Sequence, residues 1–411
     1  MTATQALDLH AVLADIRATI SRMDDAMDSA SENADIATIE LARSMGASKK
    51  QVEELASRQA AKRAAKVLAR EAEGKGSVAS KTVTRKKPTG WVAPQDPQTR
   101  SKALEEKAPP APDGLVRCWE CFPDLPPASS SDWLGRGSPG ERDRPGQPLK
   151  RFLQPGPHRN FPTKTGRKIY LMPLGDVAGA PPPRVFADLL QRWFLLDAEV
   201  MKPPKAEALA ALERDEEGCG YGPQIECPSA HALLHRLKPR DAFVVLGYTM
   251  SDICNTAKGF GFLFGEADLD KGVGLFSFAR YADGVAPESP RFLRRCGMVL
   301  CHEAFHLFGV RHCVYASCIM NGSNHLDESE SRPFALCPVD LRKLQLTLDQ
   351  AKVNGRDQPP IDLVARERGL LLFYEAHGLH EDARFSRGVI SALTGQPEPE
   401  RRAPGGGEGD E

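Results

Sequence analysis

The stretch LCHEAFHLFGVRHC, residues 300–313, carries three histidines and one glutamate within eleven residues. His302 and His306 are four residues apart, so on a helix they lie one turn apart on the same face and can bind one metal ion. Gly309 permits a turn with positive φ, after which His312 can supply a third nitrogen. Three protein ligands leave a position open for water, which is typical of a catalytic zinc site.

Glu303 directly follows the first of these histidines, where a general base for an attacking water belongs. The alternative is an ordinary buried helix that happens to be rich in histidine, but this combination of residue types at fixed spacing seldom arises by chance. His231 and His235 share the four-residue spacing without a glutamate between them or a third histidine. We therefore interpret those two as ordinary helix residues.

The motif HEAFHLFGVRH followed by a nearby methionine is the metzincin pattern of zinc peptidases. More narrowly, residues 302–338 resemble the archaemetzincin family, whose members place cysteines after the third histidine at the spacing of Cys313, Cys318 and Cys337. The upstream runs MPLGDV and FGFLFGEADLDKGVGLFSFARY are similar to the same family. The resemblance covers about residues 168–350.

The resemblance implies a zinc peptidase that hydrolyses peptide bonds, possessing a catalytic zinc on the three histidines and Glu303 as general base. Met320 would form a hydrophobic turn beneath the metal. A preference for short peptides, as in an aminopeptidase, is a family expectation. The peptide substrate would pair its main chain with an edge strand. That strand would be formed by Val273, Gly274, Leu275, Phe276 and Ser277.

The family would also hold a structural zinc with Cys313, Cys318, Cys337 and a fourth cysteine three residues later, where this chain has Asp340. Zinc accepts carboxylate oxygen, so a site with three cysteines and one aspartate is chemically reasonable. Oxygen is a harder ligand than sulfur, so the affinity should fall. An outside donor such as His325, a weakly bound ion and no second ion remain alternatives. With Asp340 as ligand, the chain would bind two zinc ions.

Other cysteines have less specific surroundings. Cys296 and Cys301 precede the motif on the same helix, and we expect them to be core thiols. A third zinc site is a weaker hypothesis, because its two pairs are widely separated in sequence. It would be formed by Cys118, Cys121, Cys219 and Cys227.

The composition excludes several function classes. A net charge of −1 over 411 residues gives no electrostatic case for binding nucleic acid. No apolar run approaches the length of a membrane span. The first residues lack the features of a secretory signal, so we expect an intracellular, cytoplasmic protein whose 10 cysteines are thiols or metal ligands. The basic run TRKKPTG leaves a nuclear location open.

Strands alternating with helices predict an α/β fold, and the resemblance adds a metzincin-like domain with a mixed, twisted sheet packed on helices. We expect four segments: a helical extension (1–73), a linker- and loop-rich region (74–166), a metallopeptidase domain (167–392) and a disordered tail (393–411). Within the domain we expect a catalytic helix (288–309), a Cys-rich zinc segment (313–340) and C-terminal helices (338–380).

A zinc metallopeptidase is the favoured interpretation. The alternative is a non-catalytic, zinc-stabilised interaction protein on the same fold, with residues 1–73 as a helix that binds a protein partner. Both would need the histidines, but only an enzyme needs Glu303 as a base. The sequence therefore favours the enzyme, with a peptide or protein as substrate.

Overall fold

The computed structural model describes residues 96–106, 109–126, 132–136, 146–154, 160–163, 165–214, 221, 223–350 and 361–399. All of these belong to the second of two units into which the chain divides, Lys87–Glu411. The predicted extension at 1–73 lies outside the described residues, so its helical character and its role in binding a partner stay predictions.

Nine strands form two sheets among the described residues. They are β1 Lys168–Pro173, β2 Ala198–Val200, β3 Glu213–Arg214, β4 Gln224–Glu226, β5 Ala242–Thr249, β6 Asp252–Asn255, β7 Phe260–Leu263, β8 Gly265–Asp268 and β9 Val273–Ser277. The larger sheet has the order β2-β1-β5-β9-β8 and the smaller one the order β3-β4-β6-β7. In the larger sheet β2, β1, β5 and β9 are parallel and β8 is antiparallel. This mixed sheet with helices confirms the predicted α/β class.

The position of β9 corrects one prediction. We expected Val273–Ser277 to be the edge strand that binds substrate, but it lies between β5 and β8, and all five of its residues are buried. The strand at this end of the larger sheet is β8, whose residues are only partly buried, and β2 is at the opposite end. A continuous apolar sequence is typical of an interior strand, because both faces of such a strand are covered. The sequence of β9 therefore indicated burial, and the prediction of an edge was wrong.

Twelve α-helices accompany the sheets in the described part of the chain. They are α1 Pro97–Glu105, α2 Asp113–Arg117, α3 Trp133–Arg136, α4 Leu149–Phe152, α5 Pro183–Phe194, α6 Ala206–Ala210, α7 Cys227–Leu237, α8 Pro290–His306, α9 Leu326–Glu330, α10 Pro338–Gln350, α11 Leu363–Ala376 and α12 His380–Thr394. None of them has the length and hydrophobicity needed to span a bilayer.

Helix α8 carries the histidine motif and packs against β8 and β9. It begins where the Ser289 side chain accepts a hydrogen bond from the Phe292 amide, with Pro290 in the first turn. The last helical residue is His306, and Gly309 has a φ of 84° in the turn that follows. The helix is thus shorter than the predicted span 288–309: it begins two residues later, after the Ser289 cap, and residues 307–309 form the turn.

Part of the region predicted as linker, 74–166, is folded instead. Short helices α1 to α4 come from it, and their apolar side chains lie in the main hydrophobic core with α8. Each helix is too short to show a clear periodic pattern in sequence. The buried side chains from this region include Leu104, Leu115, Phe122, Trp133, Leu149 and Phe152.

The C-terminal helices extend further than predicted. Helices α10 and α11 fall within the predicted span 338–380, but α12 reaches Thr394, beyond the expected start of the tail at 393. Helix α12 packs against α11 and against α2, where the Arg117 side chain donates to the Ala392 carbonyl at 2.9 Å. Helix α12, which was not predicted, therefore packs against part of the region that was predicted to be a linker. Residues 400–411 lie outside the described residues.

Candidate metal centres and active site

The three motif histidines converge on one point. His302 and His306 lie on the same face of α8, and their Nε2 atoms are 3.0 Å apart. The ring centroid of His312, beyond the turn, is 5.2 Å from that of His302 and 4.9 Å from that of His306. One ligand nitrogen from each ring lies within 4.8 Å of the other two. This spacing suits three nitrogens bound to one zinc ion.

Backbone carbonyls fix the orientation of two of these rings. Nδ1 of His302 donates to the Ile319 carbonyl at 2.7 Å, and Nδ1 of His306 donates to the Val310 carbonyl at 2.6 Å. A carbonyl can only accept, so each Nδ1 carries the hydrogen and each Nε2 presents a lone pair. Desolvation, with smaller effects of the neighbouring imidazoles, lowers the pKa of His302 well below its usual value. The His302 ring is therefore held in the neutral form, which is the form that binds zinc.

The turn between the second and third histidines is held by Gln147, which sequence analysis missed. Its Nε2 donates to the Gly309 carbonyl at 3.0 Å, and its Oε1 accepts from the Arg311 amide at 3.0 Å. Gln147 is 7% exposed. It comes from the region predicted as linker, and nothing in its local sequence distinguishes it from other polar loop residues.

Glu303 lines a cavity of about 540 Å³ together with His302 and His312. The residue is half-buried, but its carboxyl group lies deep enough for desolvation to raise its pKa to about 8, with a further contribution from Glu266. The edge strand β8 approaches this carboxylate closely at Gly265. A Cβ there would lie 2.8 Å from Cγ of Glu303, so a larger residue would displace the glutamate.

The predicted ligands of the second zinc also lie together. One ligand atom each from Cys313, Cys318, Cys337 and Asp340 lies within 4.8 Å of the others, and all four residues are buried. Sγ of Cys313 is 3.6 Å from Sγ of Cys337. Oδ2 of Asp340 is 3.5 Å from Sγ of Cys337 and 3.8 Å from Sγ of Cys318. Three sulfurs and one oxygen thus form a donor set that fits zinc.

Lys343 contacts the aspartate of this group. Its Nζ donates to Oδ1 of Asp340 at 2.8 Å, and the two side chains are 1% and 0% exposed. Burial and the nearby Cys313 raise the pKa of Asp340 to about 7, and Lys343 opposes this rise. The carboxylate therefore presents one oxygen to the sulfurs and the other to an ammonium group.

The two groups share one short segment of chain, in which His312 and Cys313 are adjacent. The Cys313 amide donates to the carbonyl of Met320 at 2.7 Å, and Met320 is fully buried. Asn321 donates to the Cys313 and Ala316 carbonyls, both at 2.9 Å. These bonds fold the loop after the motif into a compact unit. Asn321 was not identified from the sequence.

His325, the alternative outside donor, lies elsewhere. Its Nε2 contacts Oδ1 of Asp132 at 3.0 Å, and Glu328 is the third member of this group of possible ligands. The Glu328 carboxylate already accepts hydrogen bonds from the amides of Trp133 and Asn324. We therefore interpret this group as a hydrogen-bonding cluster.

The proposed third zinc site is not formed by the described residues. Cys118 and Cys227 belong to different hydrophobic clusters, so they are not neighbours, and Cys219 lies outside the described residues. Cys118 instead contacts the Gly114 and Val389 carbonyls. Cys121 lies close to Gly388.

The remaining predicted residues occupy ordinary positions. Cys296 and Cys301 are fully buried in the main core, as expected of core thiols. Nε2 of His231 contacts the Glu266 carbonyl at 3.0 Å. His235 is exposed, and neither histidine belongs to a group of possible metal ligands among the described residues.

Comparison with known proteins identifies relatives. The model of Peptidase family M54 matches residues 245–346. Archaemetzincin-2 of Pongo abelii is 31% identical over 264 residues, which cover 55% of this chain and 70% of that protein. Archaemetzincin-2 of Homo sapiens is 31% identical over 255 residues, which cover 53% and 68%. Archaemetzincin-1 of Homo sapiens is 34% identical over 230 residues, which cover 46% and 45%.

Two crystal structures of archaemetzincins are also similar. The protein from Methanopyrus kandleri has 23% identity and a TM-score of 0.35, and the match covers 47% of this chain and 98% of that one. The protein from Archaeoglobus fulgidus, in complex with malonate, has 24% identity and a TM-score of 0.33, with 43% and 99% covered.

Proposed function

This chain belongs to the archaemetzincin family of zinc metallopeptidases, and we propose that it hydrolyses peptide bonds at a zinc ion held by His302, His306 and His312. The observation that carries the proposal is the convergence of these three imidazoles, two of which line a cavity together with Glu303. Two Nδ1–H groups bonded to backbone carbonyls direct the Nε2 lone pairs inward. Such outer contacts are typical of zinc ligands.

Glu303 is the general base of this proposal. Zinc bound to the histidines would supply Lewis acidity, which polarises a substrate carbonyl and lowers the pKa of water to near neutrality. Burial raises the pKa of Glu303 to about 8, and the positive charge of a bound zinc would oppose that rise. The ionised carboxylate can then accept a proton from the attacking water and return it to the leaving amine. Tyr281 lines the same cavity, and its hydroxyl is a group that can donate a hydrogen bond to the substrate.

The substrate binds along β8 in this proposal, rather than along the predicted strand Val273–Ser277. Strand β8 pairs with β9 on one side, and among the described residues no strand pairs with its other side. A peptide can therefore add to that edge through its main chain. Gly265, in β8, lies against Glu303, so a peptide on this edge would pass the catalytic base. The cavity of about 540 Å³ suits a short peptide, in keeping with an aminopeptidase-like preference.

A second zinc would be structural, bound by Cys313, Cys318, Cys337 and Asp340. All four ligands are buried and protein-derived, which is typical of a closed structural site. Because Cys313 follows His312, the ion would hold the segment that positions the third histidine. Two zinc ions per chain are thus proposed, one catalytic and one structural.

The proposal is tested by metal analysis and peptide hydrolysis on the same preparations. We expect two zinc ions per chain in the wild type, one in Asp340→Ala, and two in the control Asp270→Ala, which changes an exposed turn. Chelator treatment should abolish cleavage of a peptide library, and added zinc should restore it. One zinc per chain in both Asp340→Ala and the wild type would contradict the second site. Two zinc ions with no peptide cleaved would favour the non-catalytic scaffold.

A further inference from the structure

The catalytic cavity has a neighbour. A second cavity of about 270 Å³ lies beside it, lined by residues that include Pro126, Ser317 and His325. Two side chains, Trp133 and Arg332, line both cavities. The indole of Trp133 is therefore part of the wall between them.

This indole contacts the catalytic site directly. The ring of Trp133 meets that of His312 edge-on, with centroids 4.9 Å apart. On another side it lies against the backbone at Gly322, where a Cβ would come within 2.6 Å of three indole atoms. The side chain is 8% exposed. Glycine at 322 is thus what allows the indole to occupy its place beside the third histidine.

The segment carrying Trp133 is fixed by polar contacts. The Trp133 amide donates to the Glu328 carboxylate at 3.0 and 3.2 Å. The preceding residue, Asp132, contacts Nε2 of His325 at 3.0 Å. Glu328 also pairs with Arg332 at 3.4 Å, the other residue of the wall. The hydrogen-bonding cluster described above therefore has a structural consequence, because it holds the wall in position.

We propose that Trp133 is a specificity-determining residue that ends the substrate cavity on the side of His312 and limits how far a bound peptide extends there. This inference rests on the proposed function, because it takes the larger cavity as the substrate site. Removal of the indole would join the two cavities into one longer cleft. A peptide with additional residues or a longer side chain on that side would then fit.

The test uses binding to zinc-loaded protein, measured by calorimetry, with two hydroxamate probes. Acetohydroxamate is short, and 6-phenylhexanohydroxamate extends well beyond the metal. In Trp133→Ala the long probe should gain affinity relative to the short one by about tenfold or more, because each newly buried methylene is worth roughly fourfold. Trp133→Phe keeps an aromatic edge beside His312 and should retain most of the wild-type selectivity.

A second variant changes Gly322, the residue against which the Trp133 indole packs on a different side from His312. Gly322→Ala should displace the indole without removing it, and so raise the same selectivity ratio by a smaller factor. A general loss of folding would reduce the affinity for both probes and leave their ratio unchanged. An unchanged or lower ratio of long-probe to short-probe affinity in Trp133→Ala therefore overturns the role of Trp133. Failure of both probes to bind the zinc-loaded wild type contradicts the proposed function itself.

Discussion

The Asp340 carboxylate contacts both the Lys343 ammonium and the cysteine sulfurs. The contribution of Lys343 to stability should therefore depend on which residue occupies position 340. One carboxylate oxygen lies 2.8 Å from the Lys343 ammonium, and the other lies near the sulfurs of Cys318 and Cys337. Cysteine at position 340 would match the four-cysteine pattern but has a single sulfur. Sulfur is a weaker hydrogen-bond acceptor than a carboxylate oxygen, and a cysteine bound to zinc would have no second atom to meet the ammonium where Oδ1 of Asp340 does.

We predict that Lys343→Met lowers the free energy of unfolding in the wild type but raises it in the Asp340→Cys variant. In the wild type it removes a buried, charge-assisted hydrogen bond and should lower the free energy of unfolding by about 1.5–3 kcal/mol. In Asp340→Cys the ammonium is 1% exposed in the native packing and would have lost its hydrogen-bonding carboxylate. Such a buried charge is strongly destabilising, by about 3 kcal/mol or more. There Lys343→Met should stabilise the protein.

The assay is a double-mutant cycle on zinc-loaded protein, with urea unfolding of the wild type, both single variants and the double variant. We expect a coupling energy of at least about 1.5 kcal/mol, and the double variant should retain zinc against a chelator better than the wild type because sulfur is the softer ligand. Equal effects of Lys343→Met in both backgrounds, within about 0.5 kcal/mol, would refute the dual role of Asp340.

Two further predictions concern the supports of the catalytic helix and its turn. Gln147→Ala should weaken zinc binding about 10- to 100-fold in chelator competition, because the turn leading to the third histidine loses both side-chain hydrogen bonds; unchanged affinity would contradict this. Hydrogen bonds from Arg291 and Arg295 lower the pKa of Glu330 from 4.5 to about 2, so its stabilising effect is present above pH 4.5 and is lost as the pH falls toward 2. Glu330→Gln should therefore reduce the free energy of unfolding by about 2 kcal/mol at pH 7, a figure lowered because solvent screens the exposed Arg291. The reduction should become progressively smaller below pH 4.5. A loss of stability that does not vary with pH in urea unfolding would refute this prediction.

The proposed metal ligands could be predicted from the sequence because most of them lie close together along the chain. Helical spacing alone puts His302 and His306 on one face, and the resemblance supplied the third histidine and the cysteines. The structure brings all of these together, with Asp340 beside the sulfurs. Local spacing thus predicts local geometry well.

Contacts between distant parts of the chain could not be predicted in this way. Gln147 and Trp133 reach the catalytic segment from a region whose composition is that of a linker. Short helices such as α2 have no periodic signal, and their burial depends on packing against α12, which was itself missed. The order of strands in the sheet is also a property of tertiary structure. The sequence of Val273–Ser277 shows an apolar strand but not which strands lie beside it.

The central claim is that Glu303 acts as the general base beside a zinc ion held by three histidines. The most direct test measures zinc content and peptide turnover on the same preparations of the wild type, Glu303→Gln and the control Glu381→Gln, which changes an exposed glutamate on α12. We predict equal zinc content in all three proteins and turnover reduced by about 10²- to 10⁴-fold in Glu303→Gln alone. Turnover by Glu303→Gln within a few-fold of the wild type, with zinc bound, would contradict the claim.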